Sequence, residues 1–63
     1  MEAILEKLPE YERGYVQRVL DLIECSSGMT RRIFCSRLAG IADMLLATGR
    51  INTADYILIT KIQ

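Results

Sequence analysis

Three arginines on one predicted helix are the residues of this chain best suited to binding chemistry. Arg31 and Arg32 stand at the start of that helix, and Arg37 follows one to two turns later. A guanidinium presents its N–H donors in a planar fork that matches carboxylate or phosphate oxygens. Positive charge at a helix N-terminus also opposes the helix dipole. Arg31, Arg32 and Arg37 are therefore candidates for docking an acidic partner surface or a phosphate.

The same arginines also have a simpler, structural interpretation. Asp21 and Glu24 lie near the end of the preceding predicted helix, where negative charge is equally unfavourable. An antiparallel hairpin would bring the two ends together, and a surface cluster of ion pairs would then contribute about 0–1 kcal/mol. Both interpretations of the arginines stay open at the level of sequence.

The sequence offers no constellation suited to catalysis. It contains no histidine, so Cys25 and Cys35 lack an imidazole base and cannot complete a zinc set with one. Carboxylate pairs such as Glu10 and Glu12 fall on helix faces predicted to be solvated. A chain of 63 residues also has little room for a pocket of a few hundred Å³. We expect a protein that is not an enzyme, uses no cofactor or metal, and keeps both cysteines reduced and buried.

Charge and hydropathy narrow the set of partners. Eight basic and eight acidic residues give a net charge of zero, which supplies no general attraction to nucleic acid or anionic membranes. The longest apolar runs, 44–47 and 56–59, are far shorter than the roughly 20 residues of a membrane-spanning helix. Glu2 and Glu6 precede any apolar stretch, unlike the basic start of a secretory signal. We expect a cytoplasmic protein with no membrane contact.

Hydrophobic periodicity predicts a single all-α domain over residues 1–63. After a short helical turn in residues 1–8, helix one begins near Pro9, which suits the first turn of a helix. It ends at Ser26-Ser27-Gly28, where Gly28 can adopt the left-handed conformation. Gly14 costs this helix about 1 kcal/mol relative to alanine, which suggests a close approach by a neighbouring backbone. The apolar face of helix one comprises Val16, Val19, Leu20 and Ile23.

Two further helices follow. Thr30 is a suitable N-cap for helix two, which is predicted from about Arg31 to Thr48 and closes at Gly49. Short connections favour an antiparallel hairpin of helices one and two. Asn52 or Thr53 can cap a third, C-terminal helix that runs to about Ile62. The strand-forming residues 56–60 leave a strand open as the alternative for this last element.

The apolar surface of helix two is wider than one neighbour can cover. Its apolar positions span roughly 220° at 100° per residue, whereas a surface helix needs a stripe of about 100°. The opposite side is small, with Ser36, Gly40 and Ala47, and suits either packing within the chain or self-association. We therefore predict a homodimer. The residues predicted to form its core or dimer contacts are Phe34, Leu38, Ile41, Met44, Leu45, Tyr56 and Ile59.

The whole chain, from Met1-Glu-Ala-Ile-Leu to Tyr56-Ile-Leu-Ile-Thr-Lys-Ile-Gln63, resembles the small early-region proteins of lambdoid bacteriophages. These are encoded between the recombination exonuclease and excisionase genes. The resemblance implies a bacterial host cytoplasm, early lytic expression and a role that favours lytic development over lysogeny. It also implies that the protein acts by binding a host or phage protein. The resemblance assigns no binding or catalytic role to any individual residue of this chain.

These observations favour a non-enzymatic interaction protein that binds a host or phage protein. A small dimeric DNA-binding regulator is the main alternative, with the third helix as its recognition helix. Residues 54–63 offer one basic side chain, Lys61, for contacts with base edges, so we do not expect nucleic acid to be a partner. An antitoxin-like inhibitor that occludes an enzyme is a third hypothesis.

Overall fold

The computed structural model describes residues 1–62, and these residues form four α-helices and no strand. The helices are α1 (Glu2–Leu5), α2 (Glu10–Cys25), α3 (Gly28–Ala47) and α4 (Thr53–Thr60). The prediction of an all-α fold is confirmed. The strand alternative for residues 56–60 is wrong, because these residues lie in α4.

The antiparallel pairing of α2 and α3 is the main contact of the fold, as the short connection predicted. Arg50, just beyond α3, forms an ion pair with Glu12 near the start of α2, with 3.0 Å between Nε and Oε1. Contacts of α4 with α3, and of α1 with α2, complete the packing. The core is a single cluster of Ile4, Leu5, Leu8, Val16, Val19, Ile23, Leu38, Ala42, Leu45, Ile51 and Ile59.

The connection between α2 and α3 is shorter than predicted. Ser26 and Ser27 are both extended, and α3 begins at Gly28, whose φ is +60°. Gly28 therefore has the predicted left-handed conformation, but it is the first residue of α3 and does not end the preceding helix. Thr30 lies inside α3, so its assignment as the N-cap is wrong, and the N-cap position belongs to Ser27.

Gly49 ends α3 in the manner that the sequence predicted. Its φ is +75°, which a side chain would make unfavourable. The N–H of Gly49 donates to the carbonyl of Leu46 at 3.1 Å, and the N–H of Arg50 donates to that of Leu45 at 2.9 Å. This is a Schellman motif, which satisfies the last carbonyls of the helix and turns the chain toward α4.

A reciprocal cap fixes the start of α4. The N–H of Asp55 donates to Oδ1 of Asn52 at 2.8 Å, and the N–H of Asn52 donates to Oδ2 of Asp55 at 3.3 Å. This capping box satisfies two backbone donors at the helix N-terminus. Of the two predicted caps, Asn52 is the one used, and α4 ends at Thr60.

Two predictions about small side chains are wrong. No heavy atom beyond the helix's own backbone lies within 4 Å of a Cβ built at Gly14, so no neighbouring backbone approaches α2 there. Cys25 is exposed and Cys35 is half-buried. The buried face of α2 ends at Ile23, and Cys25 is the last residue of that helix, so its thiol lies beyond the core.

Candidate functional site

The structure divides the three candidate arginines between two surfaces. Arg31 is half-buried and Arg32 is exposed, and both line a shallow concavity of about 580 Å³ beside Gly28 and Ser36. Arg37 is exposed and lies on a different groove, where its guanidinium carbon is 5.7 Å from the centre of the Phe34 ring. That distance permits a cation–π contact, which holds Arg37 along α3.

The ion-pair cluster predicted at the tip of the hairpin is wrong. The ion pairs within residues 1–62 join Lys7 to Asp55 and Glu12 to Arg50, and neither involves Arg31 or Arg32. The cause is the earlier start of α3 at Gly28, which sets both arginines back from the tip by about a helical turn. The positive charges of Arg31 and Arg32 are thus not neutralised by an acid of the described chain.

A predominantly apolar groove runs between the first half of α2 and the second half of α3. We call it the tyrosine groove and define it by Tyr11, Tyr15, Ile41 and Met44, with Arg37 on its rim. Its volume is about 580 Å³, so the expectation that a chain of this length has little room for a pocket of a few hundred Å³ is wrong. Tyr11 is 89% exposed and Met44 is 65% exposed, so the groove presents large side chains with little cover.

The groove that Tyr11 and Tyr15 border was not predicted from the sequence. The two tyrosines are four residues apart and therefore neighbours on one side of α2. Antiparallel pairing brings this side next to residues 37–45 of α3. The four-residue spacing predicts that the two tyrosines are neighbours on α2. Whether they face α3 depends on how the two helices are rotated relative to each other, which the spacing does not define.

The predicted core and dimer residues fall into three groups. Leu38, Leu45 and Ile59 are buried core residues. Phe34, Ile41 and Tyr56 are partly buried against that core. Met44 alone is mostly exposed, so it does not belong to the core of the single chain and is available for contact with a partner.

Lys7 and Asp55 form an ion pair that was not predicted from the sequence. Lys7 Nζ lies 2.6 Å from Asp55 Oδ2, and Asp55 is 7% exposed. The hydrogen bond from Lys7 lowers the pKa of the Asp55 carboxyl below its ordinary value of 3.8, and the bond from the Asn52 backbone acts in the same direction. The partners are 48 positions apart in the sequence, so no local pattern predicts their contact. The ion pair joins the α1–α2 connection to the cap of α4.

The outer side of α4 offers little for reading DNA. Its exposed residues include Ile57 and Leu58, followed by Lys61 just beyond the helix. A recognition helix presents polar and basic side chains to base edges, whereas α4 presents mainly aliphatic ones.

Within residues 1–62, no group of three or more potential metal ligands comes together. None of the helices in this part of the chain is long and apolar enough to cross a membrane. No protein-family model, curated protein or solved structure matches the chain.

Proposed function

We propose that this chain is a small non-enzymatic protein that binds a host or phage protein through the tyrosine groove. The observation that carries the proposal is the exposure of Tyr11, Tyr15 and Met44 around one apolar groove with Arg37 on its rim. Tyrosine, methionine and arginine are enriched in protein–protein interfaces, and tyrosine and arginine dominate their energetic centres.

The shape of the groove favours an amphipathic helix as the bound element. Two helices form its walls, and its floor includes the apolar side chains Val16 and Leu45. A partner helix can insert apolar side chains at intervals of three and four residues into such a groove. Arg37 on the rim suits an acidic residue at the edge of that helix.

The biological setting of the proposal comes from the resemblance to lambdoid early-region proteins. Binding of a host or phage protein in the bacterial cytoplasm would favour lytic development. Self-association into a homodimer is part of the same proposal, and the exposed Met29 and Ile33 on α3 support it.

A capture experiment with matched variants tests the groove. Tyr11→Ser with Tyr15→Ser removes two exposed aromatic side chains from it. Ile57→Ser with Leu58→Ser removes two exposed aliphatic side chains from α4 and serves as the control. Both variants should retain the helical circular dichroism of the wild type, because exposed positions usually change stability by less than about 0.5 kcal/mol each.

We expect the wild type and the α4 variant to capture the same host or phage protein from infected-cell lysate, and the groove variant to lose it. The captured protein should then bind the purified chain with the same dependence on the two tyrosines. Equal capture by the groove variant would refute the proposal. Binding to DNA that weakens steeply with salt would favour the DNA-binding regulator instead.

A further inference from the structure

One side of α3 lies away from the core, and at its edge toward α4 Asp43 lies close enough to the Tyr56 hydroxyl to raise the pKa of that tyrosine. We call it the outer face and define it by Met29, Arg32, Ser36, Gly40, Asp43 and Ala47. All six residues are exposed, and Met29 is 71% exposed. A Cβ built at Gly40 meets nothing within 4 Å beyond the helix's own backbone. The small residues therefore do not serve to bring another helix of this chain close.

The spacing of the outer face suits a contact between two helices. Its residues recur at intervals of three or four along α3, which places them in one stripe. An alternation of three and four is also the repeat by which helices pack along one another. The narrowest part of the stripe is Ser36 and Gly40, where two helix backbones can approach closely.

The order of the residues along the outer face makes it complementary to the same face of a second, antiparallel copy. If two copies of α3 lie antiparallel with a two-fold axis between Ser36 and Gly40, Met29 falls opposite Ala47 of the other copy. Arg32 then falls one residue, or about 1.5 Å along the helix, from the position opposite Asp43, and Ser36 falls opposite Gly40. The contacts pair a large with a small side chain, a positive with a negative one, and two small residues. A two-fold axis repeats each of these contacts, as an isologous dimer requires.

Charge excludes the parallel alternative. Parallel copies in register would place Arg32 against Arg32 and Asp43 against Asp43, and like charges at an interface are unfavourable. Neither residue has an ion-pair partner within the described chain. The antiparallel arrangement also brings Arg32, near the positive end of one helix dipole, toward the negative end of the other.

We propose that the outer face is covered by α3 of a second copy of this chain, packed antiparallel across a two-fold axis between Ser36 and Gly40. Arg32 of each copy pairs with Asp43 of the other. This inference rests on the self-association part of the proposed function and specifies its geometry. The tyrosine groove adjoins the outer face and shares Gly40 with it, whereas Arg32 and Asp43 of the outer face do not line the groove.

Charge exchange tests this geometry in the full chain. Arg32→Asp and Asp43→Arg should each weaken the dimer by at least about tenfold, because each replaces two opposite-charge contacts with two like-charge contacts. The double variant Arg32→Asp with Asp43→Arg restores opposite charges and should dimerise within a few-fold of the wild type. Arg18→Asp makes the same change in net charge on the exposed side of α2 and should leave the dimer unchanged. Sedimentation equilibrium measures all four, with circular dichroism to confirm folding.

A second pair of variants tests the close approach at Gly40. Gly40→Gln should abolish or strongly weaken the dimer, whereas Gly14→Gln should not. Both glycines lie within helices with open space around them in the single chain, so neither change should disturb the fold.

A double charge variant as weak as the single variants, or dimerisation that survives Gly40→Gln, would overturn the proposed geometry. A wild type that stays monomeric at high concentration would overturn self-association altogether. Capture of a partner through the tyrosine groove can be measured in the wild type and in the Arg32 and Asp43 variants, whose changed residues do not line the groove. Its success or failure is therefore separate from that of the dimer.

Discussion

Replacing Gly14 with alanine should stabilise this protein. Gly14 lies in the middle of α2, is exposed, and has open space where a methyl group would stand. The gain is the difference in helix propensity, about 1 kcal/mol, because alanine restricts the unfolded chain more than glycine does. The added methyl stays in solvent, so burial contributes little. A gain of this size should raise Tm by about 4–8 °C in a domain of this length.

Gly49→Ala is the matched control, and it should lower the stability that Gly14→Ala raises. The substitution is chemically identical, but Gly49 has a φ of +75° in the motif that ends α3. Alanine in the left-handed region costs about 1–2 kcal/mol, so the Tm should fall. Thermal denaturation monitored by circular dichroism measures the Tm of both variants, at a fixed protein concentration because dimerisation would shift the midpoint. A loss of stability in Gly14→Ala would refute the open environment of α2 at that position.

Leu38→Ala should cost about 2–5 kcal/mol of unfolding free energy, because the side chain is 1% exposed at the centre of the core. This is a large part of the total of about 3–9 kcal/mol expected for a chain of this length, and denaturation should show a partly or wholly unfolded variant. Met44→Ala should change the same free energy by less than about 1 kcal/mol, since Met44 is mostly exposed; a larger loss would place Met44 in a covered interface. The Asp55 carboxyl has its pKa lowered by Lys7, so its contribution is present above the unfolded pKa and is lost as pH falls through the folded pKa. Asp55→Asn should therefore lower the urea midpoint at about pH 6 and lower it progressively less in acid, and a difference independent of pH would contradict the role of the ion pair.

The helical segments could be predicted because their signals are local. The apolar periodicity around Val19 identified α2, Gly49 marked the end of α3, and Asn52 identified the start of α4. Each signal depends on residues within one or two turns, where the geometry of the backbone is fixed by the helix itself. The start of α3 was misplaced because Thr30 is a suitable N-cap by residue type, whereas α3 begins at Gly28 and the Ser27 side chain makes no capping hydrogen bond.

The sites could be predicted only in part. The sequence identified Arg37 as a binding candidate, but not the groove that it borders with Tyr11 and Tyr15. It left Arg31 and Arg32 open between docking a partner and pairing with acids at the end of α2, and no such ion pair is present within residues 1–62. The rotation of each helix about its own axis decides such contacts, and periodicity defines that rotation only to within the width of an apolar stripe.

The sequence by itself determined that its first two main segments are helical, where most of the helices end, and that its charges are balanced. These properties follow from side-chain chemistry and from contacts between near neighbours in the chain. The tertiary structure decided that Lys7 meets Asp55, that two tyrosines of α2 face α3, and that the outer face of α3 is left open. Such pairings join residues that are distant along the chain, and they are fixed by the joint packing of all four helices around one core.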